Sequence, residues 1–172
     1  APGHFQHLAL SPSRRSSVLG LGLQGGFEAQ LLRARFVADV MVGSVQTVDP
    51  GMALSPLRLL LQASQSGELF VVGEDGKLVG TITLADLSET AFDPALDALV
   101  NAADVARRRP PVLMGDDHLE TALKKMADSG ESLIAVIDDL ESRRFLGAVE
   151  ERHVMAAYNR DLLRARQEER DD

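Results

Sequence analysis

The sequence predicts an α/β fold built from two copies of one β-α-β-β-α unit packed face to face. Three observations predict it. The first is an internal repeat. Ala38-Asp39-Val40 is answered by Ala103-Asp104-Val105, Leu54 by Leu119, Ser66-Gly67-Glu68 by Ser129-Gly130-Glu131, and Gly80 by Gly147. The interval is 65 residues from Ala38 to Ala103 and 67 from Gly80 to Gly147. A unit this short rarely buries its own apolar face, and pairing two copies buries both. The second observation is that strand-like and helix-like spacings alternate in the same order in both copies. The third is composition: of 172 residues, 45% are hydrophobic, enough for a real core, but only 4% are aromatic and none is Trp. That core must come from Leu, Val, Ala, Ile and Met.

In the first copy, residues 44–48 alternate as a short strand and Asp49-Pro50-Gly51 turns the chain. Residues 54–63 have helical spacing, with Leu57, Leu60 and Leu61 on one face, and Gly67 closes that helix. Residues 69–72 form an apolar strand, Glu74-Asp75-Gly76-Lys77 a hairpin turn, and residues 78–83 the next strand. Leu84 opens a further helix. The second copy repeats the order. Pro110 and Pro111 edge a strand at 110–114. Asp117 caps a helix from Leu119 to about Ala127. Strands follow at 133–137 and 144–149, then a long helix at 152–163. Ahead of both copies, residues 1–30 are linker-like, rich in Gly, Ser, Pro and His, with a helix at 28–35 leading in. The division is therefore 1–30 linker, 31–92 first repeat, 93–163 second repeat, and 164–172 a charged tail expected to fray into solvent.

Charge and composition exclude several functions. The net charge is −8, against a nucleic-acid partner, which needs a basic face. No Cys is present, which removes disulfides, thiolate metal sites and cysteine nucleophiles and suits a reducing compartment. No apolar run approaches the roughly 18 to 20 residues of a bilayer span, so a soluble chain is expected. It begins at Ala1 without a signal peptide's basic-then-apolar order, as a processed chain or a piece of a longer one would. No catalytic constellation stands out, and an enzyme is not expected. His4 and His7 are three apart, without a carboxylate cluster, in the linker-like segment. His118 reads as a surface residue near a helix start. No metal is predicted.

One segment carries chemistry: Gly80-Thr81-Ile82-Thr83-Leu84-Ala85-Asp86-Leu87. A strand ends at Thr83 and a helix opens beyond it. One reading is a helix cap, worth about 1 kcal/mol. The other is a ligand site. An Asp carboxylate at such a junction can accept two hydrogen bonds from a ribose diol, Thr83 adds a hydroxyl, and the helix start offers amides to a phosphate. Arg107-Arg108-Arg109, the only basic run, reads either as a phosphate contact or as a solvated linker.

These repeats resemble a pair of CBS domains. The resemblance rests on Asp39-Val40-Met41, Val71-Val72, Asp75-Gly76 and the 80–87 motif, and it covers about residues 36–160. It implies pseudo-twofold packing, with short mixed sheets flanked by helices, and adenine nucleotides (ATP, ADP or AMP) in the clefts between the copies. It places the ribose on Thr83 and Asp86. The base would lie against Ile82, Pro111, Val112, Glu131, Ser132 and Leu133. The second copy departs from the pattern, with Glu150 in place of the Thr and His153 in place of the Asp. One competent cleft is expected, since Glu150 would repel phosphate. The implied function is regulatory, with homodimers through the paired modules. Residues 31–41 and 154–160 also resemble the cytoplasmic tail of bacterial CLC chloride channels and antiporters. That implies a membrane transport domain as partner and a cytoplasmic location. A structural dimerisation module without ligand and a stand-alone energy sensor remain as alternatives.

Overall fold

The two central strands are buried on both faces, and that burial organises everything else. The computed structural model describes residues 26–87 and 93–171. In chain order these form α1 (Phe27–Arg33), a 3-10 turn (Val37–Asp39), β1 (Thr47–Val48), α2 (Leu54–Ala63), β2 (Glu68–Val72), β3 (Leu78–Thr83) and α3 (Leu84–Leu87). Then follow α4 (Ala102–Val105), β4 (Val112–Met114), α5 (Leu119–Ser129), β5 (Leu133–Ile137), β6 (Phe145–Glu150) and α6 (Glu151–Asp171). The strands make two three-stranded sheets, β1-β2-β3 and β4-β5-β6. In each, the first pairing is parallel and the second antiparallel. This is the mixed α/β fold of two β-α-β-β-α copies that the repeat predicts.

Period-two alternation sorts the strand side chains. Leu69 and Val71 of β2, with Ile82 of β3, face Leu54, Leu57 and Leu61 of α2. Ile134 and Val136 of β5 face Leu119, Ala122, Leu123 and Met126 of α5 and Val154, Ala157 and Tyr158 of α6. The opposite strand faces meet each other. Phe70 and Leu78 pack on Leu133, Ala135, Ile137 and Ala148, and Phe70 tilts against Phe145 at 5.3 Å. The copies are thus joined sheet to sheet through an apolar layer.

The segments leading into the copies are exchanged between them. Residues 36–42 dock on the second copy: Val37 N–H donates to Asp117 C=O, and Val42 exchanges two backbone hydrogen bonds with Ala148. Residues 101–107 dock on the first: Ala102 N–H donates to Met52 C=O, and Arg107 exchanges two bonds with Thr81. This crossing explains the repeated glycines. A Cβ on Gly80 would lie 2.3 Å from Arg107 O, and one on Gly147 would lie 2.4 Å from Val42 O. No real Cβ tolerates such contacts.

Three local expectations need correction. Gly67 does not close α2, because the extended Ser64 ends it. The hydroxyls of Ser64 and Ser66 gather there on Glu68 C=O. Gly130 is the true helix-closing glycine, left-handed at φ 73 with its N–H on Met126 C=O. Asp117 does not cap α5. His118 holds that position, and the Asp117 carboxylate accepts from Met114 N–H at 2.8 Å. His118 itself is exposed and stacks on Phe36. Last, the charged tail does not fray, since α6 runs on to Asp171. Its Arg, Ala, Gln and Glu are strong helix formers, and Arg164 and Glu168 sit four apart. His4, His7 and most of the 1–30 linker-like segment lie outside the described residues.

Candidate functional site

β3 delivers Thr83 to the junction and α3 begins at the next residue. The Asp86 carboxylate turns back on the strand end. Its Oδ2 accepts from Thr83 N–H at 2.7 Å and from Thr83 Oγ1 at 2.9 Å. The two residues therefore act as one polar unit, half-buried at the edge of the first copy.

Arg107 reaches this unit from the second copy's leading segment. Its backbone is fixed by the two hydrogen bonds to Thr81, at 3.1 and 2.8 Å. Its guanidinium then meets three carboxylates. Nη1 donates to Glu131 Oε1 at 2.8 Å, Nε lies 3.5 Å from Asp86 Oδ2, and Nη2 lies 3.6 Å from Glu68 Oε1. Glu68 opens β2 directly opposite Thr83 in the sheet register, and only 8% of it is exposed. Burial, above all, pushes its carboxyl up to about 7. The Glu131 charge adds to the rise and the Arg107 charge opposes it. The Arg107 guanidinium is raised above its ordinary value, chiefly by its hydrogen bond to Glu131.

Among the residues expected at a ligand site, the structure brings Thr83, Asp86 and Glu131 into one cluster through Arg107. Ile82 is wholly buried in the first copy's core. Pro111 and Val112 are half-buried. Val112 packs into the layer between the sheets, and its C=O accepts from Lys125 Nζ. Ser132 and Leu133 lie elsewhere, because Leu133 pairs with Glu150. Both line a second cleft of about 640 Å³ with Gln65, Ser66, Glu150, Glu151, Arg152 and Met155. Sequence reasoning left out Glu68 and gave Arg107 no firm role. A signal for both was present: each Ser-Gly-Glu triad of the repeat ends in a Glu that converges on Arg107.

The second cleft repeats the geometry with other chemistry. Ala148 takes the place of Thr81 and Val42 that of Arg107, with the same two backbone bonds. Leu133 takes the place of Glu68 in the register. Glu150 accepts from Arg152 Nε, and that bond lowers its pKa below the usual carboxylate value. His153 Nδ1 has no hydrogen-bond partner among the described residues. Tyr158 is buried packing and Asn159 is exposed. Among the described residues, no group of three or more His, Asp or Glu could hold a metal ion, and no helix is long and apolar enough to cross a membrane.

Comparison with known proteins agrees with this architecture. A CBS domain-containing protein of unknown function from Bacillus anthracis is 23% identical. The match covers 77% of this chain and 98% of that one, with a TM-score of 0.66. The structure of CBSX2 in complex with AMP is 19% identical over 73% of this chain and 96% of that one, at a TM-score of 0.62. The cytosolic domain of the Mg2+ channel MgtE, in complex with ATP, is 25% identical over 75% of this chain and 52% of that one, at a TM-score of 0.59. Among curated proteins, a homoserine O-acetyltransferase of Methanohalobium evestigatum is 27% identical over 114 residues. This chain spans only 22% of that protein's length. The CBS domain family model matches residues 37–92 and 102–165. The chain belongs to the CBS domain family and carries the domain twice.

Proposed function

We propose that this chain is a regulatory module that binds an adenine nucleotide in the cleft bearing Thr83 and Asp86. The carrying observation is the Thr83–Asp86 unit, with a carboxylate and a hydroxyl at a strand-to-helix junction and a cation, Arg107, beside them. The carboxylate suits a ribose diol and the guanidinium a phosphate. CBS proteins of the same fold, CBSX2 and the MgtE domain, are in complex with AMP and ATP respectively. Binding favours one packing of the two copies and passes it to an attached domain. Such coupling requires different nucleotide affinity in the two states. The chain itself catalyses nothing.

The attached domain we propose is a CLC-type transporter, on its cytoplasmic side. The support is the resemblance of residues 31–41 and 154–160 to those tails. The module pairs with a second copy, and Leu59 and Leu84, exposed on packed neighbouring helices, support that pairing. Thermal unfolding with ATP, ADP and AMP tests the nucleotide site. At a hundred times the dissociation constant, ligand stabilises the fold by about 2.7 kcal/mol, and Asp86→Ala abolishes that shift. No shift with any nucleotide in the wild type overturns the reading.

One observation favours a second reading. Asp86 is already engaged by Thr83 and Arg107, as in a purely structural module. That reading expects stability indifferent to nucleotides and a light-scattering mass of a dimer.

A further inference from the structure

Arg107 is an under-satisfied cation. It faces three carboxylates, yet among the described residues only its bond to Glu131 is a true hydrogen bond, and its Nε and Nη2 are buried without hydrogen-bond partners there. A buried donor left unmade is costly. The planar fork of a guanidinium matches a phosphate, which can take two such donors at once. The backbone of Arg107 is pinned to Thr81, so an exchange of partners moves only the side chain.

We infer that Arg107 is the ligand-responsive residue of this cleft: it ties Asp86 and Glu68 of the first copy to Glu131 of the second, and exchanges those carboxylates for the phosphate of a nucleoside monophosphate. The inference rests on the nucleotide reading above and adds how occupancy is sensed. In the exchange, Asp86 passes from Arg107 to the ribose diol. The tie between the copies at Glu131 is released, which is a change an attached domain can detect.

The exchange has a consequence for protons. The charged groups facing Glu68 are Arg107, Glu131 and Asp86. Of these only Arg107 favours the charged carboxylate. Its departure, with a phosphate arriving nearby, makes Glu68 hold a proton more tightly. Glu68 titrates near 7 while Arg107 faces it. Binding slightly above that pH therefore takes up a proton, and affinity falls as pH rises from about 7. At lower pH Glu68 is protonated in both states, and this dependence disappears.

The test is calorimetric titration of the whole chain with AMP and with adenosine at pH 7.5, in PIPES and in Tris. The wild type is expected to bind AMP at least about tenfold more tightly than adenosine. Its AMP binding heat should differ between the buffers by the uptake of a sizeable fraction of a proton. Glu68→Gln should bind AMP with a buffer-independent heat. Arg107→Gln should lose the preference for AMP over adenosine. Arg107→Lys, which keeps the charge and the fold but not the fork, should retain only part of the preference. Adenosine binding without a preference for AMP overturns the inference and leaves the nucleotide reading standing. So does an unchanged preference in Arg107→Gln, or a buffer dependence that persists in Glu68→Gln. If neither ligand binds the wild type, both fall.

Discussion

The two clefts of this protein share one backbone and differ in their side chains. In each, a leading segment exchanges two hydrogen bonds with the last strand of the other copy, and a glycine makes room for it. In the first cleft the equivalent positions hold Thr81, Thr83, Asp86, Arg107 and Glu68. In the second they hold Ala148, Glu150, His153, Val42 and Leu133. The first therefore has a cation among carboxylates. The second has an apolar strand edge and a carboxylate already paired with its neighbour, Arg152. The scaffold repeats one backbone arrangement twice, but a cation among carboxylates beside a hydroxyl stands in it once. Fold and site are separable properties here.

Several substitutions break or sharpen that contrast. The largest effect is expected where the clefts share their support. Phe70 is almost fully buried between the sheets, and Phe70→Ala should cost about 3–5 kcal/mol in urea unfolding, loosening both clefts together.

Next comes a pH dependence that belongs to the first cleft alone. The folded state raises Glu68 from 4.5 to about 7, so folding favours its protonated form. The contribution to stability is full below the unfolded value and is lost as pH rises through about 7. The expected loss is about 2–3 kcal/mol. Urea midpoints at pH 5 and pH 8 should show it in the wild type, and Glu68→Gln should be flat by comparison. An equal slope in that variant would assign the titration elsewhere.

Smaller again are the two glycine replacements. Gly80→Ala and Gly147→Ala each force a crossing segment off its strand, for about 1–3 kcal/mol. Their stability costs should be alike. Only Gly80→Ala, which displaces Arg107, should impair nucleotide binding.

Most of the fold was legible along the chain. The helix Leu54–Ala63 and the strands Leu78–Thr83 and Leu133–Ile137 fall where apolar spacing puts them, because each element buries one face or two at a fixed period. The paired glycines were legible as a repeat, but their cause, a crossing backbone, is visible only in three dimensions. The expected fraying of the tail mistook charge for disorder. Residues such as Arg164 and Glu168 are polar on every side and still hold a helix. The site was half legible. Thr83 and Asp86 are neighbours in sequence, so their pairing follows from local spacing. Glu68 and Asp86 come from β2 and α3, and Arg107 and Glu131 from two separate connecting segments, and no local pattern links the four. Ser132 and Leu133 went to the other cleft because the strand register pairs Leu133 with Glu150. The Ser-Gly-Glu match of the repeat lies two residues out of step with that register.

The most direct test of the account is the number and place of nucleotides bound per chain. Calorimetric titration with AMP should give one site per chain, lost in Asp86→Asn and kept in His153→Asn. Two equal sites, or binding that survives Asp86→Asn and fails in His153→Asn, would contradict it.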